Sequence, residues 1–352
     1  MGRLKLISKK FLSALPPSGK RVMSHLDYRL SAIPRVYHDR RRHPSQGLWR
    51  GAVTFSLDFE LAWAWQYARQ PQNEDCVSRG LRERDQVPQI LDKFDQFNIP
   101  ATWATVGHLF LRECTRRHQG MAHAGMPRLQ HFENDYWRFS SGDWYQHDPC
   151  SDVRRDPAWY APDLIESILG SRVVHEIACH SFSHASFGAY CPPVVAAAEL
   201  DACFEAMKPY SVRPTTWVFP RHDAGNFAVL AEKGFRIVRC FPKPWAKISL
   251  PLHRADGMWA VHVSSSTDRG DGWTLEQRLT RLKRYVDKAA STRMAAHIWL
   301  HPSLPPTEMN ELLFPILHYC ADQRERGLLD ILTMDQLVSA TEAALREERI
   351  HS

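Results

Sequence analysis

His180 and His184 stand four residues apart at the end of the segment 174–184, Val-His-Glu-Ile-Ala-Cys-His-Ser-Phe-Ser-His. Four residues is one helical turn, so two imidazoles at that spacing can face one point. Rigid elements supply a zinc-type ion with nitrogen ligands in this way, about 2.0–2.1 Å from the metal. In a chain with 18 histidines the pair alone fits two ordinary packed side chains equally well. Between the two lie Ser181, Phe182 and Ser183, none of which takes a proton at neutral pH, so a hydrolytic centre built here needs its base elsewhere. The run 53–60, Val-Thr-Phe-Ser-Leu-Asp-Phe-Glu, offers one. On an extended backbone the spacing of Asp58 and Glu60 sends both carboxylates to one face, where one can hold a metal while the other acts on water. A half-buried strand with a solvated acidic end has the same pattern.

These residues need a frame that brings 58–60 and 180–184 together. From residue 50 onward short apolar runs alternate with amphipathic helical windows, the pattern of parallel βα units. Strands are expected at 52–57, 99–106, 174–179, 215–219, 235–239, 258–264, 293–300 and 329–332. Helices are expected at 87–97, 108–114, 163–170, 193–207, 227–233, 275–290 and 308–326, with a last one from 335 capped by Thr333. About seven such units predict a barrel of parallel strands ringed by helices, with its chemistry at the C-terminal strand ends. Asp58, Glu60 and His180 all fall at such ends. The stretch 115–162, rich in His, Arg, Asp, Trp and Tyr, is too long for an ordinary connection and reads as an insertion over them.

Composition sets the class. With 44% hydrophobic and 24% charged residues, the 352-residue chain is neither disordered nor membrane-spanning in type, and no apolar run reaches the ~18 residues of a spanning helix. Eight scattered cysteines without a Cys-x-x-Cys pair, and no recognisable export signal, read as reduced thiols of a cytoplasmic protein. Residues 1–50 hold 12 Lys and Arg against two Asp, a net of +10; the whole chain is +6, so 51–352 carry −4. Basic pairs and a triplet interleaved with Leu, Ile and Phe suit an anionic membrane face, and a solvated leader fits as well. No nucleic-acid reading motif accompanies the charge, and no nucleic-acid partner is expected.

The set Ser56-Leu57-Asp58-Phe59-Glu60, His180-Ser181-Phe182-Ser183-His184, Phe219-Pro220-Arg221 and Trp299-Leu300-His301-Pro302 resembles, in order and spacing, the polysaccharide deacetylase (NodB homology) family, carbohydrate esterase family 4. Its branch associated with bacterial surface-glycan and O-antigen biosynthesis is the most similar. The resemblance covers about 48–338. It implies a distorted, incomplete (β/α)7 barrel, with a basic arm at 1–47, a catalytic domain at 48–340 containing the insertion, and a C-terminal helix end at 341–352. It also implies a divalent metal, Zn2+ first, held by Glu60, His180 and His184. Asp58 then resembles the base, Arg221 the residue that orients it, and His301 the general acid. The family's commonest form has two adjacent aspartates, whereas one residue intervenes here and the second acid is Glu. His222-Asp223-Ala224 also replace the family's Pro-Pro-Tyr after the Arg.

The activity so implied is metal-assisted hydrolysis of an N-acetyl group on an amino sugar of a surface glycan or its precursor, with the arm holding the protein peripherally at the inner membrane. Trp63, Trp65, Trp144 and Trp159 are candidates to stack on sugar rings. Two alternatives keep the fold: an amidase or deformylase acting on a small non-peptide amide, and a catalytically silent glycan-binding barrel.

Overall fold

In the computed structural model, residues 33–39, 42–69, 75–116, 120–134, 137–241, 248–267 and 272–351 are described. Most of the basic arm therefore lies outside the described residues. The strands are β1 (Gly51–Phe59), β2 (Thr102–Thr105), β3 (Phe132–Glu133), β4 (Arg138–Phe139), β5 (Glu176–Cys179), β6 (Thr216–Val218), β7 (Ile237–Cys240), β8 (Leu252–His253), β9 (Trp259–His262), β10 (Ser265–Ser266), β11 (Ala295–Leu300) and β12 (Leu329–Ile331). The longer helices are α1 (Cys76–Phe97), α2 (Pro162–Leu169), α3 (Pro193–Met207), α4 (Phe227–Glu232), α5 (Leu275–Thr292), α6 (Phe314–Glu325) and α7 (Met334–His351).

The main sheet runs β10-β11-β1-β2-β5-β6-β7-β9-β8, with β12 paired to the start of β1. All its pairings are parallel except the β8–β9 hairpin. The sheet curls on itself through 259–266: β9 pairs with β7, and its continuation β10 pairs with β11. At the joint, Val263 N donates to the Cys240 carbonyl and Ser264 N to that of His297. Seven positions thus surround one interior, the distorted (β/α)7 barrel expected from the sequence.

β1 is the central stave, and its alternation explains both its burial and its chemistry. Val53, Phe55, Leu57 and Phe59 form one parity, and Phe55 and Phe59 reach aromatic partners outside the barrel, Phe94 of α1 and Trp103. The other parity, Thr54, Ser56 and Asp58, is polar and still buried, and Ser56 and Asp58 find partners inside. Gly51 lets the strand start against α5, since a Cβ there would lie 2.5 Å from the Ala289 carbonyl oxygen.

Most expected elements appear within a few residues of their predicted ends. The first helix differs: Asp75, accepting from Ser78 N, caps it eleven residues before 87, and Pro88 lies inside it. The stretch 180–184 is not helical. It is a loop in which Ser181 and His184 have left-handed backbone, φ 58° and 59°. Among the described residues of 115–161 the regular structure is the short β3–β4 hairpin, and Trp137, Trp144 and Tyr145 are buried. No described helix is long and apolar enough to cross a membrane.

Candidate active site

The C-terminal ends of β1, β5, β7 and β11 bring Asp58, Glu60, His180, His184, Arg239 and His301 together. Glu60 follows β1, and its Oε1 stands 2.7 Å from His180 Nε2 and 3.0 Å from His184 Nε2. All three side chains are buried. His180 Nδ1–H donates to the Val218 carbonyl at 2.8 Å, which aims Nε2 at Glu60.

A loop rather than a helix produces this convergence, and a buried carboxylate shapes it. Glu199 of α3 accepts from the backbone N–H groups of Phe182 and Ser183, both at 2.9 Å, and from the hydroxyls of Ser183 and Tyr145, both at 2.7 Å. Gly107 N and His108 N donate to the carbonyls of Ser181 and Phe182 from the neighbouring strand end. Held from both sides, the chain turns through two left-handed residues and presents both imidazoles to Glu60.

The donor set fits a divalent cation. Burial pushes His184 down to about 4, so its ring is neutral at pH 7 and able to ligate. The ligand atoms of Glu60, His180 and His184 lie within 4.8 Å of one another, and Glu60 Oε2 and His184 Nδ1 have no hydrogen-bond partner. The buried Glu60 carboxylate faces the neutral His184 ring beside His180, and an ion among the three supplies a counter-charge. Beneath it, Glu83 of α1 accepts from Glu60 N at 2.9 Å. Burial, reinforced by the Glu60 charge, pushes Glu83 up to about 8, so it is neutral at pH 7.

Asp58 lies beside this set, within 4.8 Å of Glu60 and His301 ligand atoms, but has a partner of its own. Its two oxygens accept from Arg239 Nη1 and Nη2 at 2.5 and 2.6 Å. Arg239 Nη1 also donates to Ser56 Oγ at 3.1 Å, and Ser56 Oγ lies 2.7 Å from His297 Nε2. Burial, aided by the Arg239 charge, holds His297 well below the usual histidine range, hence neutral. Sequence reasoning missed Arg239. The available signal was a charged residue within the apolar strand 237–240.

Arg221, expected to orient Asp58, lines the same cleft. Its Nη2 donates to the Ala64 carbonyl at 2.9 Å, and its guanidinium lies 5.2 Å from the Trp65 ring centroid. His301 is partly exposed, with Nε2 3.6 Å from Glu60 Oε2 and its ring between those of Trp65 and Trp299. Asp58, Glu60, Trp65, Arg221, Trp299 and His301 share the walls of a cleft of about 410 Å³. Of the four tryptophans proposed to stack on sugars, Trp63, Trp144 and Trp159 are buried away from it: Trp63 packs edge-on to Trp159, and Trp144 Nε1 donates to Ser183 Oγ. Trp65 does line the cleft, joined by Trp299.

No family model and no curated protein matches the chain. Solved structures do. A protein described as a polysaccharide deacetylase from Mycobacterium smegmatis superposes with TM-score 0.58 at 17% identity, over 88% of this chain and 94% of that one. Another so described, from Pseudomonas aeruginosa PAO1, gives 0.54 at 16%, over 82% and 90%. PuuE allantoinase gives 0.54 at 16%, over 86% and 93%. At these identities the likeness is one of fold, and the chain has the NodB-type fold of the polysaccharide deacetylases that its motifs resemble.

Proposed function

We propose that the protein is a metal-dependent hydrolase that removes the N-acetyl group from an amino sugar of a bacterial surface polysaccharide or its precursor. One observation carries the reading: the two carboxylates at the end of β1 are sorted, Glu60 facing the histidine pair and Asp58 facing Arg239, at the floor of one cleft. Metal-assisted hydrolysis of an amide needs a group that binds the cation and another that moves a proton, and the sorting separates these tasks. Glu60, His180 and His184 hold the metal, Zn2+ in the first instance, which when bound acidifies water and polarises a carbonyl.

Asp58 accepts the proton of the attacking water while Arg239 fixes its orientation. His301, whose ring nitrogen lies within 4.8 Å of carboxylate oxygens of both Asp58 and Glu60, delivers a proton to the leaving nitrogen. Arg221 braces the turn Leu61–Ala64 through the Ala64 carbonyl, and Trp65 and Trp299 offer apolar faces to a sugar ring. The basic arm is assigned to an anionic membrane surface on the net +10 charge of residues 1–50. Liposomes rich in anionic lipid should then retain the full chain better than an arm-deleted one at low salt, and equal retention removes that assignment.

The test of the main reading is acetate release from N-acetylated amino sugars by the purified chain. Activity should vanish with a chelator and return with a divalent metal. Release from small non-peptide amides, with none from sugars, would move the assignment to an amidase; no hydrolysis by metal-replete protein would leave a silent barrel.

A further inference from the structure

A second cluster of metal-ligating side chains lies where the insertion meets the barrel, separate from the residues assigned to hydrolysis. His108 follows β2 on the barrel wall, while Cys114, His123 and Asp148 come from the chain that covers it. One ligand atom from each of the four falls within 4.8 Å of all the others.

The orientation of Asp148 makes this more than a crowd of polar groups. Its Oδ1 is engaged from behind, by the N–H of Cys150 at 2.9 Å and the hydroxyl of Tyr160 at 3.2 Å. Its Oδ2 is turned to the other three residues, 2.7 Å from His123 Nε2, 3.1 Å from His108 Nε2 and 3.5 Å from Cys114 Sγ. Cys114 Sγ and His123 Nε2 are 4.0 Å apart. With metal–nitrogen bonds of about 2.0–2.1 Å and metal–sulfur bonds of about 2.3 Å, the edges of a tetrahedral site come to about 3.3–3.6 Å, so small shifts admit an ion.

Hydrogen bonding alone leaves the cluster incomplete. His108 and Asp148 are both fully buried, and neither ring nitrogen of His108 makes a well-aligned hydrogen bond. Two imidazoles, a thiol and a carboxylate are the ligand types of a closed zinc site. Burial, aided by the Asp148 charge, pushes the Cys114 thiol up, so an entering ion must displace its proton, as metal binding at thiols does. Cys114 and His123 also line an open cleft of about 530 Å³, which gives an ion a way in.

We propose that His108, Cys114, His123 and Asp148 form a second divalent-metal site, of zinc type, that fastens the insertion to the barrel wall. The inference is independent of the hydrolytic reading, because none of these four residues belongs to it.

Cobalt(II) alone, titrated under reducing conditions into metal-stripped full-length protein, tests it. The first site has no sulfur ligand, so a thiolate-to-cobalt charge-transfer band in the near ultraviolet reports the second site only. The band should saturate at one cobalt per chain in Glu60→Ala, reach the same final intensity in the unmodified chain, and disappear in Cys114→Ser with one fewer cobalt bound. Absence of the band in the unmodified chain overturns the proposal whether or not a variant folds, and so does an undiminished band in Cys114→Ser. Loss of hydrolysis or of the Glu60-dependent ion leaves the band intact, which keeps failure of one site distinguishable from failure of the other.

Discussion

Arg239, at the end of β7, grips both carboxylate oxygens of Asp58, which sits on β1 across the barrel interior. The two side chains are 1% and 3% exposed, so the pair is a desolvated one. Removing one member of such a pair leaves the other charge buried without compensation, at a cost of about 3–5 kcal/mol. Arg239→Ala should therefore lower unfolding free energy by that order and reduce turnover at least tenfold. Arg239→Lys, which retains charge but not the two-pronged geometry, should recover more stability than activity. Denaturant unfolding together with steady-state rates checks both, and an Arg239→Ala protein of unchanged activity removes the orienting role.

Asp58 and Glu60 should respond differently to substitution although one residue separates them. Glu60→Ala leaves two imidazoles as ligands, so metal retained after dialysis should fall sharply together with activity. Asp58→Asn keeps shape and removes the base, so the metal should stay while hydrolysis falls by a factor of about 10² or more. Metal analysis of dialysed protein beside acetate release separates these outcomes, and the reverse pattern would exchange the two roles.

His301 belongs to proton delivery in this scheme, being partly exposed and 3.6 Å from Glu60 Oε2 rather than within the Glu60–His180–His184 set. His301→Ala should retain its metal and lose on the order of 10² to 10⁴ in rate. Metal lost with His301 would make it a ligand, and an unchanged rate would take it out of the site.

What the sequence disclosed and what it withheld follow from how each contact is encoded. Asp58 and Glu60 were legible because period-2 spacing on a strand is local, and the barrel because apolar runs and helical windows alternate. The Arg239–Asp58 pair spans 181 residues with no local pattern to announce it. The histidine spacing pointed correctly to convergence and wrongly to a helix, because Ser181 and His184 take left-handed backbone without a glycine to mark it. Glu83 and Glu199 sit in amphipathic helical windows where a glutamate ordinarily marks the solvent face; both are fully buried, pointing at the Glu60 amide and the histidine loop. Three of the four tryptophans fell elsewhere for the opposite reason, since residue type says nothing about which side of the barrel wall a ring occupies.

His175, away from the cleft, gives a prediction on stability rather than rate. Its ring packs against Phe94 and Trp103, and its Nδ1 accepts from the Ala101 N–H at 3.2 Å, which only the unprotonated nitrogen can do. Burial lowers it to about 4, against 6.5 for an ordinary histidine. Between these values the unfolded chain binds the proton and the folded chain does not, so the stabilisation is complete above pH 6.5 and is lost as the pH falls toward 4. One proton sets a ceiling of about 1.4 kcal/mol per pH unit on the slope. His43 and His262, also lowered to about 4 by burial, add slopes of the same sign. Glu83, raised to about 8, adds a slope of opposite sign, so the difference is the test: from pH 7 to 4.5 denaturant unfolding should show the unmodified chain losing stability relative to His175→Gln. An equal change in the two would mean that His175 takes up its proton in the folded protein as readily as in the unfolded one.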